Sequence, residues 1–202
     1  MMSILLLLSF CLSSSAAIVT KDPIVYEDLP CKFSLTAWNL TGPNVNTTGV
    51  PLVLGQNGAT DGASYEITST YATFPYNIYP TLSLSNGSIR AYRASGAWLT
   101  NATNVESGGL LTWYTSALFN TDAARIYTAL QFANTTFRVL AAHGYHSLWS
   151  LCPFDGPLGQ TSVLYNVSAD TGITFPPAMN LGFSPRSCWA VRIYLVPLDN
   201  QC

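Results

Sequence analysis

Apolar and polar residues alternate with a period of two along most of this chain, as they do in a strand with one face in a core and the other in water. In the segment 32–38, Phe33, Leu35 and Ala37 fall on one face and Ser34, Thr36 and Trp38 on the other. The segment 81–92 repeats the pattern around Asn86-Gly87, a pair that tolerates the positive φ of a type I′ turn. That turn predicts a hairpin in which Leu84 meets Ile89 and Leu82 meets Ala91 on the core face. Ser83, Arg90 and Tyr92 take the other face, and Asn86 stands at the tip. Phe137, Val139 and Ala141 make a further inward row, as do Val163, Tyr165 and Val167 with Asn166 opposite. The final strand, 188–195, buries Trp189, Val191, Ile193 and Leu195 and turns Arg192 to water.

Clusters at Gly42-Pro43, 153–157 and 175–177 separate these runs. Only 121–130 admits a helix, with Thr121 or Asp122 as its cap, and there Ile126, Thr128, Leu130 and Phe132 also alternate as a strand would. Many short strands with frequent turn signals predict an all-β fold, a single antiparallel β-sandwich or barrel domain with long loops. Neither an internal repeat nor a break in composition divides it.

The first residues depart from this pattern. Ile4 to Leu12 form an apolar run far short of the roughly 20 residues a membrane helix needs, and Ser15 and Ala17 suit cleavage by signal peptidase. Residues 1–17 are therefore expected to be a signal peptide without a basic start, and 18–202 a single secreted β domain. No later segment reads as a membrane span or lipid-anchor tail, so no membrane association is expected after cleavage. Six Asn-X-Ser/Thr acceptors, at Asn39, Asn46, Asn86, Asn101, Asn134 and Asn166, are candidate glycosylation sites in the same secretory setting.

Charge is sparse: 8 basic and 10 acidic residues make up 9% of the chain. A near-neutral surface offers no electrostatic footprint for nucleic acid. Solubility then falls to Ser, Thr and Asn and to attached sugar. Removal of Cys11 with the leader leaves Cys31, Cys152, Cys188 and Cys202, an even number that an oxidising compartment would pair in one of three connectivities. The expected pairs are Cys152 with Cys188, and Cys31 with Cys202, which would tie the ends of the domain together. Metal binding is the alternative, but no Cys-X-X-Cys spacing supports it.

Candidate chemistry is thin. His143 and His146 would share a face on a helix and could there hold a metal, but Gly144 and the flanking strand pattern favour a strand or turn. No Gly-X-Ser-X-Gly elbow occurs. Asp61, Glu66, Glu106, Asp122, Asp155 and Asp170 could supply the two carboxylates of a glycosidase, yet each has Gly, Asn, Thr or Ser nearby, the setting of a turn or surface carboxylate. No catalytic residue, metal ligand or cofactor is therefore assigned. One binding hypothesis does arise. Tyr65, Tyr71, Phe74, Tyr76 and Tyr79 crowd a stretch broken by Pro75 and Pro80, where rigid aromatic faces could stack on sugar rings beside Asn77. The ligand-binding candidates are Tyr71, Tyr76, Tyr79 and the outward Trp38; the competing reading packs the cluster over an open end of the barrel.

Four segments carry a resemblance: 32–37 (Lys-Phe-Ser-Leu-Thr-Ala), 84–89 (Leu-Ser-Asn-Gly-Ser-Ile), 149–153 (Trp-Ser-Leu-Cys-Pro), and the Cys188 strand ending Leu195-Val196-Pro197-Leu198. In this layout the chain resembles the secreted fungal cell-wall proteins of the phialide-associated and IgE-binding-like type. The resemblance implies a fungal, extracellular, wall-associated β domain with no catalytic residues to carry over. Three functions are expected from these readings in turn. First comes a secreted, glycosylated structural or interaction protein that contacts wall polysaccharide or an extracellular protein. The second is a carbohydrate-binding module, and the third a glycoside hydrolase.

Overall fold

The computed structural model describes residues 22–96, 99–116, 123–155, 159–168 and 182–199. They form thirteen strands: β1 (Ile24–Tyr26), β2 (Phe33–Asn39), β3 (Val50–Thr60), β4 (Ala63–Thr70), β5 (Thr81–Ser85), β6 (Ser88–Tyr92), β7 (Leu99–Ala102), β8 (Thr112–Ser116), β9 (Tyr127–Gln131), β10 (Arg138–Ala142), β11 (Trp149–Pro153), β12 (Thr161–Tyr165) and β13 (Trp189–Pro197). Among the described residues the only helical element is the 3₁₀ turn Pro185–Ser187. Every pairing is antiparallel. The sequence β2–β5–β6–β7–β8–β4–β12–β11–β13 returns to β2 and closes a barrel of nine strands. β3 pairs with both β2 and β4, while β10, β9 and β1 extend outward from β13.

Closure rests on the ladder between β2 and β13, which runs from Asn39 opposite Val191 to Phe33 opposite Pro197. It sets residues near Cys31 beside the C-terminal strand, and the Leu198 amide donates to the Lys32 carbonyl at 3.0 Å. The hairpin read around Asn86-Gly87 forms in the expected register, with Leu84 opposite Ile89 and Leu82 opposite Ala91. Its central residues have φ of 50° and 70°, the left-handed pair a type I′ turn requires. Phe33, Leu35 and Ala37 point into the barrel with Trp113, Trp149, Leu84, Ile89 and Ile193. Each indole nitrogen in that core has an acceptor: Trp113 Nε1 donates to Thr68 Oγ1 at 2.8 Å and Trp149 Nε1 to the Leu140 carbonyl at 3.0 Å.

Five expectations change in detail. The segment that admitted a helix is strand β9 from Tyr127 onward; its proposed caps, Thr121 and Asp122, lie outside the described residues. Tyr127 and Ala129 enter the barrel core, whereas Leu130 and Phe132 pack outside it. The row Phe137, Val139 and Ala141, expected inward, also faces this outer cluster beside Tyr194, and Leu140 and Ala142 of the same strand enter the core instead. Val167 does not continue the inward row of Val163 and Tyr165. The chain turns at Asn166, whose φ is 49°, and Val167 joins the cluster of Ile67, Leu110, Cys152, Phe154 and Leu164. Arg192 does leave the core, but its guanidinium lies over the Phe132 ring, 5.8 Å from the centroid, and is only half-exposed.

Candidate functional site

The aromatic stretch divides into an anchor and a display. Tyr79 is 2% exposed and belongs to the barrel core, whereas Tyr71, Tyr76 and Ile78 are 46%, 62% and 49% exposed. Tyr79 is thus core and drops out of the ligand candidates. The loop between β4 and β5 is short of freedom. It contains no glycine, and Pro75 and Pro80 fix φ at two positions. The Thr73 and Phe74 amides both donate to the Thr70 carbonyl, at 3.1 and 3.0 Å. The Tyr71 amide donates to the Pro51 carbonyl at 2.9 Å, and the Tyr76 amide to the Phe74 carbonyl at 2.8 Å, a three-residue turn across Pro75. From the far side, the Thr161 amide donates to Thr73 Oγ1 at 2.9 Å, tying the loop to the start of β12. The Phe74 and Tyr76 rings meet edge to face with centroids 5.2 Å apart. Two tyrosines are held out to solvent by a loop that has little entropy left to lose on binding.

Beneath the anchor lies a polar cluster that sequence reasoning missed. Glu66, read as a turn or surface carboxylate, sits in the middle of β4 and is 7% exposed. Its Oε1 accepts from Ser64 Oγ at 2.6 Å and from the Tyr79 hydroxyl at 3.3 Å, and its Oε2 from Thr115 Oγ1 at 3.4 Å. Thr115 is in turn bonded to Thr100, and the Arg93 guanidinium lies 5.5 Å from the centroid of the Tyr79 ring. Burial raises the Glu66 pKa above the ordinary carboxylate range, against a smaller downward pull from these hydroxyls and from Arg93. The available signal was Ile67-Thr68-Ser69-Thr70, whose β-branched residues favour a strand rather than a turn around Glu66.

The remaining candidates scatter. Trp38 is half-buried and packs on Tyr194, centroids 6.0 Å apart, so its face is not free as an outward residue's would be. His143 and Gly144 form the turn after β10, with φ of 52° and 79°. His143 Nε2 lies 2.9 Å from the Val105 carbonyl, whereas the His146 ring stands edge-on to Phe132. The two imidazoles therefore work apart. Burial, and then the positive charge of Arg192, lower the His146 pKa. No group of three metal-binding side chains occurs among the described residues. Asp61, Glu106 and Asp155 are exposed, while Asp122 and Asp170 lie outside the described residues.

Cys152 and Cys188 form the expected disulfide. Cys31 is buried and disulfide-bonded, and Cys202 lies outside the described residues, as do residues 1–17. No helix among the described residues is long and apolar enough to cross a membrane. Of the candidate glycosylation sites, Asn46, Asn86, Asn134 and Asn166 are exposed; Asn39 is half-buried, as is Asn101, which lies within β7 between Arg90 and Tyr114. Comparison of the chain with protein-family models, with curated proteins and with solved structures finds no match in any of the three.

Proposed function

We propose that this chain is a secreted, glycosylated binding protein of the cell wall or extracellular space. It has no catalytic role, and it recognises saccharide units of wall polysaccharide through Tyr71 and Tyr76. One observation carries the reading: the Tyr71 and Tyr76 side chains are exposed on a loop locked by prolines, backbone hydrogen bonds and the buried Tyr79. Aromatic rings stack on the apolar C–H face of a pyranose, Asn77 beside them offers an amide to its hydroxyls, and preorganisation lowers the entropic cost of docking. The secretory setting is supported by the apolar leader, the Cys152–Cys188 bond and four acceptor asparagines standing in solvent. A non-catalytic role agrees with the carboxylates. Among those described only Glu66 is buried, and three hydroxyls already occupy its oxygens.

Ile78 favours a second reading, docking of an extracellular protein, because an aliphatic side chain 49% exposed beside Tyr76 suits a protein interface better than a sugar. Binding of the enzymatically deglycosylated protein to a panel of wall polysaccharides decides between them. Tyr71→Ala and Tyr76→Ala should each lower saccharide affinity about tenfold or more, the range of a central aromatic contact. Saccharide binding unaffected by both changes would overturn the assignment of the site.

A further inference from the structure

The residues other than glycine that adopt a left-handed backbone among those described are Asn86, His143 and Asn166, with φ of 50°, 52° and 49°. All three border the same pair of neighbouring clefts. One, of about 300 Å³, is lined by Glu27, Asn86, Arg125, Tyr127, Thr128 and His143. The other, of about 370 Å³, is lined by Asn104, Ser107, His143, Tyr145, Leu148 and Asn166, among others. Asn and His adopt the left-handed region more readily than most side chains, and keep it where neighbouring groups hold the turn. They do so here. The Asn86 amide donates to Asp28 Oδ1 at 2.8 Å, and the Gly87 carbonyl accepts from the Tyr127 amide at 2.9 Å. The Asn166 amide donates to the Leu148 carbonyl, and His143 Nε2 meets the Val105 carbonyl at 2.9 Å. Two of these three residues are glycan acceptors, in Asn86-Gly87-Ser88 and Asn166-Val167-Ser168.

We infer that the two clefts are seats for the protein's own sugar: the inner N-acetylglucosamine residues of glycans on Asn86 and Asn166 lie in them, with His143 as the partition. Attachment joins Asn Nδ2 to the anomeric carbon of the sugar, breaks that carbon's bond to a lipid-linked diphosphate, and releases the diphosphate and one amide proton. The remaining N–H still donates. In Asn166, Nδ2 donates to Ser107 Oγ at 2.8 Å, and the same bond made by a substituted amide would direct the first sugar along the cleft wall. Tyr145, 60% exposed at the rim, offers a ring to the sugar's apolar face, and Asn104 and Glu106 offer partners to its hydroxyls. Asn134 is the internal contrast: equally an acceptor and exposed, it lines neither cleft.

This inference shares the secretory premise with the proposed function and is independent of the Tyr71 and Tyr76 surface, so the polysaccharide panel and the following test fail separately. The full chain with its leader is expressed in a host that attaches N-glycans, and occupancy at each acceptor is read by peptide mass spectrometry. The folded glycoprotein is then treated with an endoglycosidase that cuts between the two inner N-acetylglucosamines. Asn86 and Asn166 should be occupied and cut about tenfold more slowly than Asn134, the rate ratio expected for about 1.4 kcal/mol of seating. Tyr145→Ala, a surface change, should bring the Asn166 rate up towards that of Asn134 and leave Asn86 unchanged. An empty Asn86 or Asn166, or cleavage at both as fast as at Asn134, would overturn the inference.

Discussion

Two walls of the same barrel obey opposite rules. On β11 and β13, and on β10 that flanks the closed ring, the residues turned to the core are Leu140, Trp149, Leu151, Val191 and Ile193, and the indole nitrogen of Trp149 is answered by the Leu140 carbonyl. On β4, β7 and β8 the inward residues include Glu66, Thr68, Thr100 and Thr115, all buried: Thr115 bonds to Glu66 and Thr100, Thr68 accepts from the Trp113 indole, and Trp113 supplies the bulk. The apolar wall is held by area removed from water. The polar wall is held by mutual satisfaction of groups that are costly to bury unpaired. It is the polar wall that grips Tyr79, and through it the base of the loop that displays Tyr71 and Tyr76. The proposed binding surface therefore stands on a titratable foundation.

Removing bulk from the apolar wall is the largest perturbation available. Trp149→Ala should cost about 3–5 kcal/mol of unfolding free energy in urea titration, since a fully buried indole leaves a cavity that strands on every side must tolerate. Opening the Cys152–Cys188 bond by a double Cys→Ala change should cost about 3–4 kcal/mol, because the bond closes a loop of 36 residues. A Trp149→Ala loss of less than about 1 kcal/mol would mean that the two walls do not differ in kind.

On the polar wall the sign depends on pH. Glu66 has its folded pKa raised, so the folded state holds its proton more tightly than the unfolded chain does. Its contribution is fully present below the ordinary carboxylate range and is lost as pH rises through the raised folded value. Wild-type stability should therefore fall on going from mildly acidic to neutral pH. Glu66→Gln, neutral throughout, should remove that slope and be the more stable of the two at neutral pH. Thermal melts of both proteins across the range check this; parallel pH profiles would place the charge in water rather than in the barrel.

How far the chain discloses itself follows the same division. Most of the apolar wall was legible; β10 was not, because its apolar residues run unbroken from Val139 to Ala142 and both faces are buried. Phe33, Leu35 and Ala37, the Asn86-Gly87 hairpin, and Val191, Ile193 and Leu195 are inward rows that alternation predicts, and they are observed. Ser64-Tyr65-Glu66-Ile67-Thr68 defeats the rule, because its bulky apolar residues face away from the barrel. Tyr65 lies against Tyr114 at a centroid distance of 4.8 Å, and Ile67 packs in the outer cluster with Leu110 and Cys152. Burial of the polar face becomes visible only once β7, β8 and the Tyr79 loop close over it. The aromatic candidates divided for a related reason: nothing local distinguishes Tyr76 from Tyr79, and only the hydroxyls waiting beneath Tyr79 do.

Smaller changes sharpen the link between wall and loop. Tyr79→Phe removes one donor to Glu66 and should cost about 1 kcal/mol, with faster amide hydrogen exchange in residues 71–78 as its local signature. Tyr76→Ala, confined to the surface, should move stability by no more than about 0.5 kcal/mol while abolishing most of the proposed saccharide binding.

The most direct test of the account is an NMR titration of the isotopically labelled, deglycosylated protein with a soluble oligosaccharide fragment of wall polysaccharide. Shifts should concentrate at Tyr71, Tyr76, Asn77 and Ile78, with weaker shifts at Tyr79 and Glu66 and none at His143 or Tyr145. Shifts centred on the His143 clefts with a silent 71–80 loop would contradict it.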